Sequence, residues 1–223
     1  MNRAKHISES IELGAILALS GGLMDAYSYL ARGKVFANAQ TGNMLLFGVN
    51  LTSGNLYEAL TYLCPVLAFG LGIFLAEYVH FQNIQKVHWR QVTLFVEIVI
   101  LFNVGLIPFS HNLLANSLTS FACGLQVQAF RKIHGKGYAT TMCIGNLRTG
   151  THEICNYLCT KKEEHLHSGL LYYFIIIMFI CGAILGNISI HLFSQHAIWI
   201  SVILLMIAFA LMFIDREKKV ASR

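Results

Sequence analysis

Six long apolar runs dominate this sequence, at roughly residues 11–30, 57–79, 91–109, 113–130, 169–190 and 197–214. A helix needs about 20 residues to cross the hydrocarbon core of a bilayer. One globular core of a chain this size cannot hide six such runs, so lipid is the solvent the sequence demands. Charge supports this reading: 12% of the residues are charged, about half the usual fraction of a soluble domain. The net charge of +5 is gathered in short Lys/Arg clusters between the runs. That distribution orients helices in a bilayer better than it binds nucleic acid.

The first run follows Arg3 and Lys5, as the core of a signal peptide would. It is too long for one, contains Asp25 and is followed by Arg32, so it reads as a retained helix. The six cysteines lie mostly within or beside apolar segments and lack CxxC spacing, which reads as small interior residues rather than a disulfide framework.

Two further segments are shorter and more polar, residues 35–51 and 138–158. Polar, glycine-containing backbone survives at membrane depth where protein buries it or where it lines a wet cavity. These segments also mark an internal repeat. Gly22, Gly33, Lys34 and Ala37 recur about 102 positions later as Gly124, Gly135, Lys136 and Ala139. After a one-residue insertion Gly42-Asn43 meets Gly145-Asn146, and further on Gly72 and Ala76 meet Gly182 and Gly186. The expected units are residues 1–111 and 112–223, within one membrane domain.

Lys and Arg then give a topology. Arg3, Lys5, Lys86, Arg90, Arg131, Lys132, Lys136, Lys161, Lys162, Arg216, Lys218 and Lys219 put both termini, the loop at residues 80–90 and both flanks of the second polar segment on the cytoplasmic side of an inner membrane. The loops near residues 52–55, 110–112 and 194–196 lack Lys and Arg and go outside. Each polar segment then dips in and returns from its own face. The expected architecture is an all-α polytopic bundle of six spanning helices plus two re-entrant or broken segments, arranged as a 3+3 inverted repeat. Arg32 and Lys34 disagree, since they fall outside; eight spans in parallel repeats is the alternative.

Gly21-Gly22-Leu23-Met24-Asp25-Ala26, followed by Val35-Phe36-Ala37-Asn38-Ala39-Gln40-Thr41-Gly42-Asn43, resembles the YoaK-like family of bacterial membrane proteins. So does Gly124-Leu125-Gln126 followed by Ala139-Thr140-Thr141-Met142-Cys143-Ile144-Gly145-Asn146. The resemblance covers nearly the whole chain and implies a membrane location and a helix count rather than a chemistry. Two positions depart from the family pattern: Ile144, where a Thr usually precedes the Gly, and Val127, where an Asn often follows the Gln.

The residues themselves suggest a solute site. Asp25 is a carboxylate at membrane depth, which costs roughly 2.5–3.5 kcal/mol on insertion scales and usually faces a cavity or a partner. Asn38, Thr41, Gly42 and Asn43 from one half, and Gln126, Thr141, Gly145 and Asn146 from the other, offer donors, acceptors and close backbone approach. For Gly-Asn the alternative is a helix cap with a packing contact. Glu97, Arg148, His152 and Glu153 are candidates for a proton or charge relay, the last three equally for an ion-pair network at the cytoplasmic rim. Gly72/Ala76 and Gly182/Gly186 are small-residue pairs that let helices approach closely. His152, Cys155 and Cys159 fall short of a four-ligand zinc set, so neither metal nor cofactor is expected. No P-loop, GxSxG elbow or HExxH motif is present, and the chain is not expected to be an enzyme.

The expected function is a transporter or channel for a small polar solute or ion, with its site between the two repeats. A membrane assembly or regulatory protein, and an intramembrane enzyme using His152, Glu153 or Asp25, are the rival readings. The bilayer and the solute are the expected partners, and association into a homo-oligomer stays open.

Overall fold

The computed structural model describes residues 10–82, 89–133, 136–138 and 140–220. Among them are eight α-helices: α1 (Ile11–Ala31), α2 (Gln40–Thr52), α3 (Leu56–Phe81), α4 (Trp89–Val104), α5 (Asn112–Ala129), α6 (Cys143–Thr160), α7 (Glu163–Phe193) and α8 (Trp199–Val220). Short 3-10 helices occupy Phe109–His111 and Ser194–Ile198. The two-residue strands β1 (Lys132–Ile133) and β2 (Lys136–Gly137) pair antiparallel, Lys132 opposite Gly137. Arg3, Lys5, Lys86, Gly135 and Ala139, used above for topology and repeat, lie outside the described residues.

The chain punctuates α1 at both ends. Ser10 Oγ accepts the Leu13 N–H at 3.2 Å, satisfying one orphan donor at the start. Gly33 and Lys34 take positive φ, 89° and 64°, and stop the helix. At 13 residues, α2 is about 20 Å long and too short to cross a hydrocarbon core of about 30 Å.

Three stretches are long and apolar enough to cross a membrane: Ile11–Ala31, Leu56–Phe81 and Glu163–Met212, the last covering α7 and most of α8. The shorter α4 and the more polar α5, both expected as crossings, do not meet that standard of length and composition. α4 has only 16 helical residues. α5 carries Asn116, Thr119, Ser120 and Gln126, all buried by neighbouring helices rather than turned to lipid. The outer surfaces are apolar instead. Leu67, Leu71 and Phe74 on α3, and Ile177, Ile180, Ile184 and Ile188 on α7, form exposed stripes at helical spacing, the signature of a surface meant for a nonpolar environment.

The most extensive packing joins α1 to α7 and α3 to α5. Glycines set both contacts. A Cβ on Gly22 would overlap the Phe179 carbonyl of α7, and one on Gly182 would overlap the Leu19 carbonyl of α1. In the other pair, a Cβ on Gly124 would overlap the Phe69 carbonyl of α3, and one on Gly72 the Phe121 carbonyl of α5. Exchanging α1 for α5 and α3 for α7 turns one description into the other, residue by residue at the offsets seen in the sequence. The remaining packing follows the same exchange: α2 lies on α3 as α6 lies on α7, and α4 lies on α5 as α8 lies on α1. The halves of the sequence are therefore interleaved, since α1 packs chiefly on a helix of the second half and α5 on a helix of the first. α1, α4, α5 and α8 share the central apolar core, with Leu17, Leu23, Leu94, Leu101, Ala122 and Leu205 fully or nearly fully enclosed.

One end of the bundle is tied together by Arg32, which is fully buried. Its guanidinium donates to Tyr27 Oη (2.8 Å), Asn112 Oδ1 (3.3 Å) and the carbonyls of Val104 (3.2 Å) and Ile107 (2.7 Å). It also lies 4.7 Å from the Phe109 ring centre. Tyr27 in turn donates to the Gln195 carbonyl at 2.8 Å, and Asn116 Nδ2 donates to the Arg32 carbonyl at 2.7 Å. The end of α1, the α4–α5 connection and the α7–α8 connection thus sit at one end of the molecule. Arg32 is an interior cation held by carbonyls, not a free loop charge.

Candidate functional site

A cavity of about 1020 Å³ opens where α1, α3 and α7 meet the N-terminal ends of α2 and α6. Asp25 on α1, Phe36, residues 38–41 and residues 141–145 all line it. Phe69 and Ile73 of α3 and Phe179 of α7 close the apolar side. The two polar segments, about a hundred residues apart in sequence, therefore border one space together with Asp25.

The start of α2 is held by side chains outside that helix. Its own N-cap residue, Ala39, has no side chain to cap with. Asp25 Oδ1 instead accepts the Asn38 N–H at 2.7 Å, so a carboxylate from α1 meets the donor-rich end of α2. Asn38 Nδ2 donates to the Gly21 carbonyl at 3.2 Å. Gln40 Nε2 donates to the Ala37 carbonyl (2.7 Å) and to Ser120 Oγ (3.3 Å), fastening α2 to α5. Asn43 clamps Phe36: its Oδ1 accepts the Phe36 N–H at 3.0 Å and its Nδ2 donates to the Phe36 carbonyl at 2.8 Å. The same Nδ2 donates to Gln40 Oε1 at 2.8 Å. Phe36 stacks on Tyr29 at 4.8 Å between centroids, and the absence of a Cβ at Gly42 leaves room for that ring, 2.8 Å from where the Cβ would be.

The start of α6 is fixed from the opposite side. Gln126 Nε2 donates to the Leu17 carbonyl at 3.2 Å and to Thr140 Oγ1 at 3.4 Å, linking α5, α1 and the approach to α6. Thr141 packs its methyl group against Gly21, where a Cβ would overlap it. Asn146 is buried. A Cβ at Gly145 would meet nothing within 4 Å, so this glycine is not required by close packing, unlike Gly42.

Of the residues expected at a site, Asp25, Asn38, Thr41, Thr141 and Gly145 line the cavity. Asn43, Gly42, Gln126 and Asn146 stand behind it; for Asn43 and Gln126 the visible role is to hold the lining segments. Phe36, Gln40, Tyr29 and Phe179 line it too and were not singled out from sequence. Phe36 and Gln40 stand in the same motif as Asn38, but aromatic residues in apolar helices carry no signal that separates lining from packing.

The four relay candidates part company. Glu97 is fully buried on α4, and neither carboxyl oxygen has a hydrogen-bond partner among the described residues. Arg148 and His152 are exposed on α6, and His152 Nε2 lies 3.1 Å from Asn156 Nδ2. Glu153 Oε2 pairs with His165 Nδ1 of α7 at 2.7 Å. The three α6 residues do not line the cavity.

The family model described as "Protein of unknown function (DUF1275)" matches residues 13–211. The UPF0700 transmembrane protein YoaK of Bacillus subtilis (strain 168) is 26% identical over 201 residues, covering 86% of this chain and 88% of the relative. No solved structure matches the chain. A helical bundle sheathed in apolar stripes and a match running through all eight helices lead to one conclusion: this chain is a helical membrane protein and belongs to the DUF1275 family.

Proposed function

We propose that this protein moves a small solute across the cytoplasmic membrane through the cavity bordered by Asp25 and the ends of α2 and α6. The observation that carries this reading is the convergence of both polar segments on one space beside a buried carboxylate. Polar, glycine-containing ends of short helices at a repeat interface are the architecture in which transporters hold their cargo.

In this reading α1, α3, α4, α5, α7 and α8 span, and α2 and α6 are re-entrant from opposite faces. After Arg32 the chain turns back until Asn38 bonds to Gly21 and Asp25, well inside α1. The short α2 then returns to Ser53, next to the start of α3. The packing exchange between halves supports the repeat, and the end of α1 lying beside the start of α5 supports its inversion. Burial of Arg32 supports the topology with cytoplasmic termini, because a guanidinium saturated by protein carbonyls need not obey the loop-charge rule. The moving bodies follow the packing rather than the sequence halves: α1, α6 and α7 form one, and α2, α3 and α5 the other. Both line the cavity, so rocking one against the other would open it to either side. Glu97 is the proposed proton relay, as a buried carboxyl in the core shared by both bodies.

Purified protein reconstituted into liposomes tests this. Uptake of labelled amines, amino acids, sugars, carboxylates and alkali cations is compared with protein-free vesicles. At least one solute is expected to enter, with its flux lost in Asp25→Asn. No uptake across the panel, together with a stable co-purifying membrane partner, favours an assembly role instead.

A further inference from the structure

We propose that the cavity selects primary amines carrying an apolar body; this inference rests on the cavity being the solute site. Its polar wall offers acceptors. Asn38 Nδ2 is committed to the Gly21 carbonyl, and because that carbonyl can only accept, the orientation of the Asn38 amide is fixed and Oδ1 faces away from it. Asn38 Oδ1 has no partner among the described residues, and neither has Thr141 Oγ1, in side chains 4% and 5% exposed. Both residues line the cavity, as does Asp25.

The three residues gather about one turn of α1. Asn38 bonds to the Gly21 carbonyl, Thr141 packs its methyl group on Gly21, and Asp25 lies one helical turn further along the same face of α1. Buried acceptors without partners are costly unless a ligand or water supplies donors. A primary ammonium brings three donors and no acceptor, which matches Asn38, Thr141 and Asp25 one for one and adds charge pairing to the last.

The rest of the lining selects the body of the ligand. No Lys, Arg or His lines the cavity among the described residues; Lys34 Nζ lies 4.8 Å from the Tyr29 ring centre, and the charged residue of the lining itself is Asp25. Tyr29, Phe36, Phe69 and Phe179 supply aromatic surface suited to an apolar group beside a cation. The volume of about 1020 Å³ exceeds what an inorganic ion fills.

2-Phenylethylamine is the probe, with its N-trimethylated analogue, 2-phenylethanol and phenylacetate as comparisons, by calorimetry on detergent-purified protein. The amine is expected to bind, the trimethylated and hydroxyl analogues about tenfold or more weakly, and phenylacetate not at all, since loss of charge-assisted hydrogen bonds acts at that scale. Asp25→Asn, which keeps an acceptor for the Asn38 N–H, is expected to weaken the amine by about tenfold or more, and Thr141→Val by about threefold or more. Thr141→Val keeps the test open if Asp25→Asn does not fold. Phenylacetate binding as tightly as the amine, no binding of the amine by wild-type protein, or full amine affinity in either folded variant overturns the proposal. Amine binding without uptake of any solute overturns the transport reading and leaves this one standing; uptake of sugars or carboxylates with no amine binding does the reverse.

Discussion

Gly22 rests directly on the backbone carbonyl of Phe179, so that α1 and α7 touch through main chain rather than side chains. Gly124 repeats that contact on Phe69 of α3. Gly22→Ala and Gly124→Ala are expected to destabilise the protein by similar amounts, about 1–3 kcal/mol each, because backbone must move to admit a methyl group. Gly70→Ala is the control: nothing lies within 4 Å of a Cβ there, and a helical alanine gains about 1 kcal/mol of propensity over glycine. Thermal unfolding in one detergent checks all three, and a large loss in Gly70→Ala or none in Gly22→Ala would contradict the packing account.

Arg32 gives the second prediction. Its guanidinium serves Tyr27, Asn112 and two main-chain carbonyls from full burial. Arg32→Ala strands those acceptors and is expected to cost about 2–5 kcal/mol. Arg32→Lys is expected to recover only part of the loss, because an ammonium cannot reproduce the planar fork. Chemical denaturation of the variants measures it; equal stability of the Lys variant and wild type would speak against a shape-specific role.

The paired hydrogen bonds between Asn43 and Phe36 make a third case. Asn43→Ala removes these two and the bond to Gln40 Oε1, and is expected to lower stability by about 1–3 kcal/mol. Since Asn43 does not line the cavity, the affinity of the folded fraction for an amine probe should change far less than in Asp25→Asn. Stability and binding measured on the same preparation separate the two roles.

Glu97 supplies the fourth. With both carboxyl oxygens unpartnered among the described residues and the side chain fully buried, Glu97→Leu is expected to match or exceed wild-type stability, by up to about 3 kcal/mol. If Glu97 relays protons, the same variant should carry solute without its dependence on an imposed pH gradient. A marked fall in melting temperature would assign Glu97 a structural partner instead.

Much of this molecule could be read from residue order alone. α1, α3 and α7 announce themselves because their outward faces must suit lipid, and the two polar segments stand out because they do not. The shared cavity follows from the same contrast. α4 and α5 are less legible, since a helix wrapped by other helices can turn Asn116, Thr119 and Gln126 toward protein partners rather than lipid and loses the apolar signature. Arg32 was visible only as a charge on the wrong side; that a set of carbonyls would absorb it depends on a loop more than seventy residues away. Gly42 and Gly145 look alike in sequence, yet one must be bare to admit the Phe36 ring and the other borders open space. The pairing of Gly22 with α7 rather than with a helix of its own half is a property of the assembled bundle, on which local periodicity is silent.

That interleaving bears on biosynthesis. During translation α1 enters the bilayer long before α7 exists, and so does Asp25, whose neighbour Thr141 arrives late as well. Until the last third of the polypeptide emerges, the flat glycine face of α1 has no mate. A nascent chain halted after α4 would hold α1 and α3 without α7 and α5, the helices each chiefly packs on; the α3–α5 contact can close once α5 is made, but the α1–α7 contact waits for the last third of the chain.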